Sequence, residues 1–317
     1  MDIDCLCAGI LFADYTCVPI PRMPEPGELV PTEGIQLALG GCAANAGLDL
    51  ARLGVKVGVS GCVGDDPFGQ FIIDTLRAGC VDVSGVHRLP GIGTASTMVI
   101  NVKGQDRRFI STPGANTRFT VAHIPPHWVR QAKVFYVGGY LMMPGLETDE
   151  FFELFRSARA GGAKTVLDVV LFGGEHYWET LAKVLPETDV FLPNDDEAAL
   201  ITGCKDPLQQ AERFRDAGAK TVVITQGSRG SLLVTDNLRL RAGTYPVEFV
   251  GGVGSGDAFD AGYIMGLLLG EDPAGCLRWG SALGASCVRA IGATEGVFTR
   301  PEAEAFMRQH PLVIERV

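Results

Sequence analysis

Apolar positions along the chain alternate between two spacings. Short runs rich in β-branched residues, "VKVGVSGCV", "KVFYVGG", "KTVLDVVL", "TDVFLP" and "KTVVITQG", have the length and composition of buried strands. Between them, "DDPFGQFIIDTLRAGC", "ETDEFFELFRSARAGG", "HYWETLAKVLPE" and "DPLQQAERFRDAG" carry apolar residues at helical spacing and mostly end in glycine. Strand and helix in regular succession predict right-handed βαβ units, hence an α/β fold with a mostly parallel sheet covered on both faces. In such a fold, ligands gather at the carboxyl ends of the strands.

Two stretches depart from this rhythm. Residues 11–37, with prolines at 19, 21, 24, 26 and 31, and residues 93–112, "GTASTMVINVKGQDRRFIST", alternate without an intervening helix. The second contains the turn Lys103-Gly104-Gln105-Asp106. Both predict a small β-sheet added to the main layer as a lid. Neither an internal repeat nor a low-complexity linker divides the chain, so residues 1–317 are expected to form one domain.

Composition narrows the partners. The chain has 317 residues, 46% of them hydrophobic, and a net charge of -10 dispersed along its length, which argues against nucleic acid or an anionic membrane as main partner. No apolar run reaches the roughly 18 residues that span a bilayer, and "MDIDCLCAGIL" lacks the basic region of a signal peptide, so a cytoplasmic protein is expected. The nine cysteines are scattered through apolar contexts, and Cys5 and Cys7 have no second pair at zinc spacing, which predicts reduced structural thiols.

The chemistry concentrates in "VEFVGGVGSGDAFDAGYIMGLLLG". No Walker lysine follows these glycines, and a dinucleotide fingerprint would open an early βαβ unit rather than stand near residue 254. A strand, "YPVEFV", a glycine turn and a buried helix are the remaining reading. Glycines let backbone N–H groups converge and a helix N-terminus adds partial positive charge, so Gly254, Ser255 and Gly256 can cradle a phosphate. Asp257 beside that cradle can accept the proton of an alcohol. Taken alone, the same residues read more readily as a plain helix cap.

Further segments accompany the turn. "LALGGCAANAGLDLARLG" carries Gly40, Gly41 and Asn45, followed by "SGCVGDDPFGQFIIDTLRAGCVD"; "GILFADY" carries Asp14; "PNDDEA" carries Asn194 and Glu197; "VVITQGSRGSLLV" carries Thr225, Gly227 and Gly230; and "WGSALGASCVRAIGA" carries Ser281. Together they resemble, over essentially the whole chain, the ribokinase or PfkB family of sugar and nucleoside kinases. The resemblance implies a ribokinase-like three-layer α/β/α sandwich with a small β-sheet lid, and transfer of the ATP γ-phosphoryl group to a hydroxyl of a sugar or sugar-like substrate. It implies Asp257 as base with Gly254, Ser255 and Gly256 as anion hole, and Asp14, Gly40, Gly41 and Asn45 as substrate holders. Asn194, Thr225, Gly227, Gly230 and Ser281 would lie along the nucleotide, and Glu197 would hold Mg2+ through water. As in many members, the lid strands are candidates for pairing two copies into a homodimer.

Each segment also has a plainer reading. Asn194 and Glu197 suit a helix start with an acidic first turn, Asn45 a residue that satisfies backbone groups, and Asp14 a turn. Arg107 and Arg108 suit a solvated lid edge, and Asp168 a structural or a polar ligand contact. The chain departs from the family pattern where Gly251-Gly252 replace an Asp-Thr pair that helps to hold a monovalent cation, which weighs against potassium activation. Cys42 and Phe12 replace a lysine and an asparagine of ribokinase itself, which weighs against ribose. A nucleoside kinase of the same family and a non-catalytic sugar or nucleotide sensor are the competing readings, with a nicotinamide dehydrogenase a distant third.

Overall fold

The protein was analysed as a computed structural model, which describes residues 2–105, 108–171 and 177–317. Its strands are β1 (Cys5–Gly9), β2 (Phe12–Cys17), β3 (Ile35–Gly40), β4 (Val57–Gly64), β5 (Asp82–Leu89), β6 (Ser96–Ile100), β7 (Arg108–Thr112), β8 (Val134–Gly138), β9 (Lys164–Leu167), β10 (Val190–Phe191), β11 (Thr221–Thr225), β12 (Ser231–Val234), β13 (Arg239–Ala242) and β14 (Ile314–Arg316). Its α-helices are α1 (Cys42–Arg52), α2 (Pro67–Ala78), α3 (Pro126–Gln131), α4 (Thr148–Ala160), α5 (Tyr177–Val184), α6 (Asp195–Thr202), α7 (Pro207–Asp216), α8 (Ser255–Leu269), α9 (Pro273–Cys287) and α10 (Arg300–Gln309).

Ten strands form the main sheet in the order β14-β13-β12-β11-β10-β9-β8-β1-β4-β5. Neighbours from β5 to β11 run parallel, and β12, β13 and β14 extend that edge antiparallel. The two-residue period of the central strands builds the layers. In β1, Cys5 and Cys7 enter one core with side chains of α1, α8 and α9, while Leu6 and Ala8 enter the opposite core with those of α4 and α7. Both faces being covered explains the uninterrupted apolar runs. The strands and helices expected between residues 55 and 227 are found within a few residues of their expected positions among the described residues. No helix of the described residues is long and apolar enough to cross a membrane.

A separate sheet in the order β3-β2-β6-β7 comes from the two stretches that break the rhythm. One face carries Asp14 beside Thr97, whose hydroxyl pairs with that of Ser111 at 3.0 Å. On the other face Leu37, Tyr15, Met98 and Ile110 stand in register across all four strands, with Met98 and Ile110 exposed. Gly104 at φ 72° occupies the expected hairpin turn, and Arg108 donates to Gln105 Oε1 at 2.6 Å. Asp106 and Arg107 lie outside the described residues.

One expected strand is not formed. "YPVEFV" pairs with no strand among the described residues: Val250 and Gly251 donate instead to the carbonyl of Val288 at 2.8 and 3.1 Å, behind the end of α9. Phe249, 70% exposed, supplies no buried side chain that would hold a ladder. The chain therefore reaches the glycine turn from a loop tied to α9.

Candidate active site

The site lies where β1, β8 and β9 end and α1, α6 and α8 begin. Gly254, at φ 77°, is the N-cap of α8, so Ser255, Gly256 and Asp257 form its first turn. A side chain at 254 would bring Cβ to 2.5 Å from the Ala293 carbonyl, so both the dihedral and the space demand glycine. The first-turn amides of an α-helix have no intrahelical acceptor and point out of its positive end. Ser255 Oγ donates back to the Gly252 carbonyl at 3.0 Å, which fixes the turn and leaves the serine hydroxyl committed.

Asp257 does not cap the helix. It stands at the third helical position, and its Oδ2 accepts from Asn45 Nδ2 at 2.8 Å. Asn45 is 2% exposed and projects from the first turn of α1, whose N-cap Gly41 has φ 91°. A Cβ on Gly41 would lie 2.5 Å from the Ile10 carbonyl, so the tight crossing of β1's exit and α1 sets the amide against the carboxylate. Burial raises the Asp257 pKa, while the Asn45 hydrogen bond and then the Cys42 thiol pull it back down.

Further carboxylates converge on the same place. Asp168 follows β9, is 9% exposed, and accepts from the Gly139 amide at 3.3 Å. Asp260, one turn beyond Asp257, is 2% exposed and accepts from the Tyr136 hydroxyl at 2.9 Å. Burial lifts both well above the usual carboxylate range, reinforced at Asp168 by the charges of Glu197 and Asp257 and at Asp260 by those of Asp168 and Asp257. Asp14 lies across the cleft on the small sheet. Burial pushes it up to about 6, with the Thr97 hydrogen bond opposing and the charge of Asp257 adding to the rise. A Cβ on Gly40 would sit 2.0 Å from Asp14 Oδ2, so this glycine makes room for the aspartate.

Asn194 and Glu197 close a reciprocal capping box at the start of α6. Asn194 Oδ1 accepts from the Glu197 amide at 2.8 Å, and Glu197 Oε2 accepts from the Asn194 amide at 3.0 Å. The plain reading of this motif as a helix start is thus realised, and its carboxylate still faces the site: burial pushes Glu197 up to about 7, and the charge of Asp257 contributes. Thr225 ends β11 and bridges to Asn194. Gly227 at φ 55° and Gly230 at φ 89° shape the following turn, and a Cβ on Gly230 would meet the Ala242 carbonyl at 1.9 Å. Ser281 is half-buried on α9.

Two participants were not named from sequence, and a third, Cys42, was named only as a departure from the family pattern. Cys42 lies with Asp168 and Asp257 so that one ligand atom of each falls within 4.8 Å of the others. Asp260 and Tyr136 form the buried pair behind Asp257. A charged residue inside the otherwise apolar run after Asp257 was the available signal for Asp260. Tyr136, inside a strand of apolar neighbours, gave none. The glycine at 251 has a steric basis, since a Cβ there would lie 2.8 Å from the Ala290 carbonyl.

This architecture has known counterparts. Residues 3–300 match the family model of the pfkB family carbohydrate kinases. The chain belongs to this family, and it is a phosphotransferase with an alcohol group as acceptor. It is 27% identical over 286 residues to the 5-dehydro-2-deoxygluconokinase of Clostridium perfringens, covering 86% of this chain and 84% of that protein. It is 26% identical over 306 residues to the ribokinase of Haemophilus influenzae, covering 94% and 96%. An Escherichia coli structure described as a ribokinase II in complex with ATP and Mg2+ superimposes with a TM-score of 0.82 at 25% identity, covering 97% of this chain and 100% of that one.

Proposed function

We propose that the protein, acting as a single kinase domain, transfers the γ-phosphoryl group of ATP to a hydroxyl of a sugar or sugar-like substrate. The observation that carries this reading is the placement of Asp257 in the first turn of α8, held by Asn45 and flanked by the amides of the glycine turn. Asp257 accepts the hydroxyl proton as the substrate oxygen bonds to the γ-phosphorus and the bond to the ADP oxygen breaks. The amides of Ser255 and Gly256 and the positive end of α8 face the charge on the transferred group. A loose phosphoryl-transfer transition state asks mainly for positioning and charge stabilisation, which these groups supply.

Asp14, freed by Gly40, orients the acceptor from the lid, and Gly41 lets the chain pass close beneath it. Thr225, Gly227 and Gly230 leave space along the nucleotide, and Ser281 flanks its far end. Asn194 and Glu197 offer the oxygen donors that suit Mg2+, and a dication there relieves the repulsion between Glu197 and Asp257. Bound magnesium supplies charge neutralisation of the nucleotide phosphates. A monovalent cation does not fit as well: residue 251 has no room for a carboxylate, and the single Cys287 S–H has the carbonyls of Val253 at 3.2 Å and Ala293 at 3.1 Å as alternative acceptors.

The exposed apolar row of the small sheet, Leu37, Met98 and Ile110 beside Tyr15, suits pairing with a second copy. The protein is read as cytoplasmic. A panel of neutral sugars, sugar acids and nucleosides incubated with ATP and magnesium, with detection of phosphorylated product, tests the reading. Product from a sugar supports it, product from a nucleoside alone moves it to the neighbouring class, and saturable binding without product on any member favours a sensor.

A further inference from the structure

Two carboxylates and a thiol meet at the heart of the site with no cationic group among them. Cys42 opens α1, Asp168 follows β9 and Asp257 lies in the first turn of α8, so the three come from separate elements. Cys42 is 7% exposed and Asp168 9%, and one ligand atom of each of the three lies within 4.8 Å of the others. A thiol has a single hydrogen to donate, so it can serve only one of the two carboxylates at a time. A second observation points the same way. The Asn45 amide lies against Asp257 through Nδ2, yet its Oδ1 is buried and has no partner. A buried acceptor left unpaired on the side chain that holds one of these carboxylates is a group that an added ion or donor can satisfy.

We propose that Cys42, Asp168 and Asp257 form an inhibitory site for a thiophilic divalent cation of the zinc type. The donor set, one sulfur and two carboxylate oxygens, is too soft for magnesium and suits zinc or cobalt. A tetrahedron with bonds of about 2.0 to 2.3 Å has edges of about 3.3 to 3.7 Å, so side-chain movements of about 1 Å close the three ligands around an ion. Binding releases to solvent the thiol proton and any proton held by the two carboxylates, because the coordinating groups are deprotonated. The occupied site takes Asp257 out of use as a proton acceptor. Zinc then competes with the acceptor hydroxyl rather than with the nucleotide. The regulatory consequence rests on the kinase reading; the metal site itself does not.

The test is titration of the nucleotide-free protein with cobalt(II) chloride, following the thiolate-to-cobalt charge-transfer absorption. Every protein in the series carries Cys80→Ser, which removes the exposed cysteine. The parent is expected to bind one cobalt ion with this absorption. Cys42→Ser should lower the band by at least about tenfold, and Asp168→Asn should raise the dissociation constant for competing zinc by at least about tenfold. Circular dichroism and thermal melting establish that each variant is folded, and Asp168→Asn provides the test should Cys42→Ser fail to fold. Absence of the band in the parent, or a band unchanged by Cys42→Ser or a zinc affinity unchanged by Asp168→Asn, overturns the site. Kinase activity is not part of the readout. A protein that binds cobalt through Cys42 and phosphorylates nothing keeps this site and loses the kinase reading, and the reverse result does the opposite.

Discussion

Replacing Asn45 with alanine separates the role of the amide from that of the carboxylate it holds. In the structure, the buried Asn45 donates through Nδ2 to Oδ2 of the half-buried Asp257 at 2.8 Å and opposes the rise that burial imposes on the Asp257 pKa. A hydrogen bond to a charged group contributes about 1.5 to 3 kcal/mol. Its loss therefore moves the aspartate pKa further upward. The sign follows from the bond stabilising the ionised form. The acidic limb of the kcat profile then moves to higher pH. At neutral pH kcat falls on the order of 10- to 100-fold, from lost ionisation and lost aim together. The assay is kcat from pH 5 to 9 with saturating ATP and acceptor. An alanine variant with reduced kcat but an unmoved acidic limb refutes the electrostatic part of this reasoning and leaves Asn45 as a contact to substrate.

Gly40→Ala places a methyl 2.0 Å from Asp14 Oδ2, so kcat/KM for the acceptor should fall by about 10- to 100-fold with nucleotide affinity unchanged; equal losses for both ligands would point to general misfolding. Asn194→Ala breaks the capping box and should cost about 1 kcal/mol in chemical denaturation, and an unchanged midpoint would show that the cap carries no stability. Asp14 at about 6 and Glu197 at about 7 bind protons more tightly folded than unfolded, so their stabilisation is full below about pH 4 and lost as the pH rises through those values. The melting temperature without nucleotide should therefore fall between pH 5 and 8, less steeply in Asp14→Asn; a flat or rising profile contradicts the burial of these carboxylates.

Much of the architecture was legible in the sequence because strands buried on both faces leave long apolar runs and helices leave a 3.6-residue period. "YPVEFV" misled because alternation records which side chains face inward but not whether a partner strand lies alongside; here the backbone is tied to Val288. In the site, the glycines announced the turn because positive φ and close approach admit no other residue at 254. What the sequence left open was which side chains meet. Asn45 was expected to face substrate, as other members of its motif do, and the structure turns its amide to Asp257, a contact across 212 residues that no local pattern encodes. Asp168 could be read as structural or as a ligand contact until α6 and α8 brought Glu197 and Asp257 within electrostatic reach. Tyr136 gave no signal at all, since a tyrosine in a buried strand looks like core until its hydroxyl is found on Asp260.

The central claim is that Asp257 takes the proton in phosphoryl transfer, and the most direct measurement compares Asp257→Asn with the parent on the acceptor that the substrate panel identifies. The account predicts a kcat lower by about 100-fold or more, with ATP binding by calorimetry largely intact. Turnover near that of the parent would contradict it.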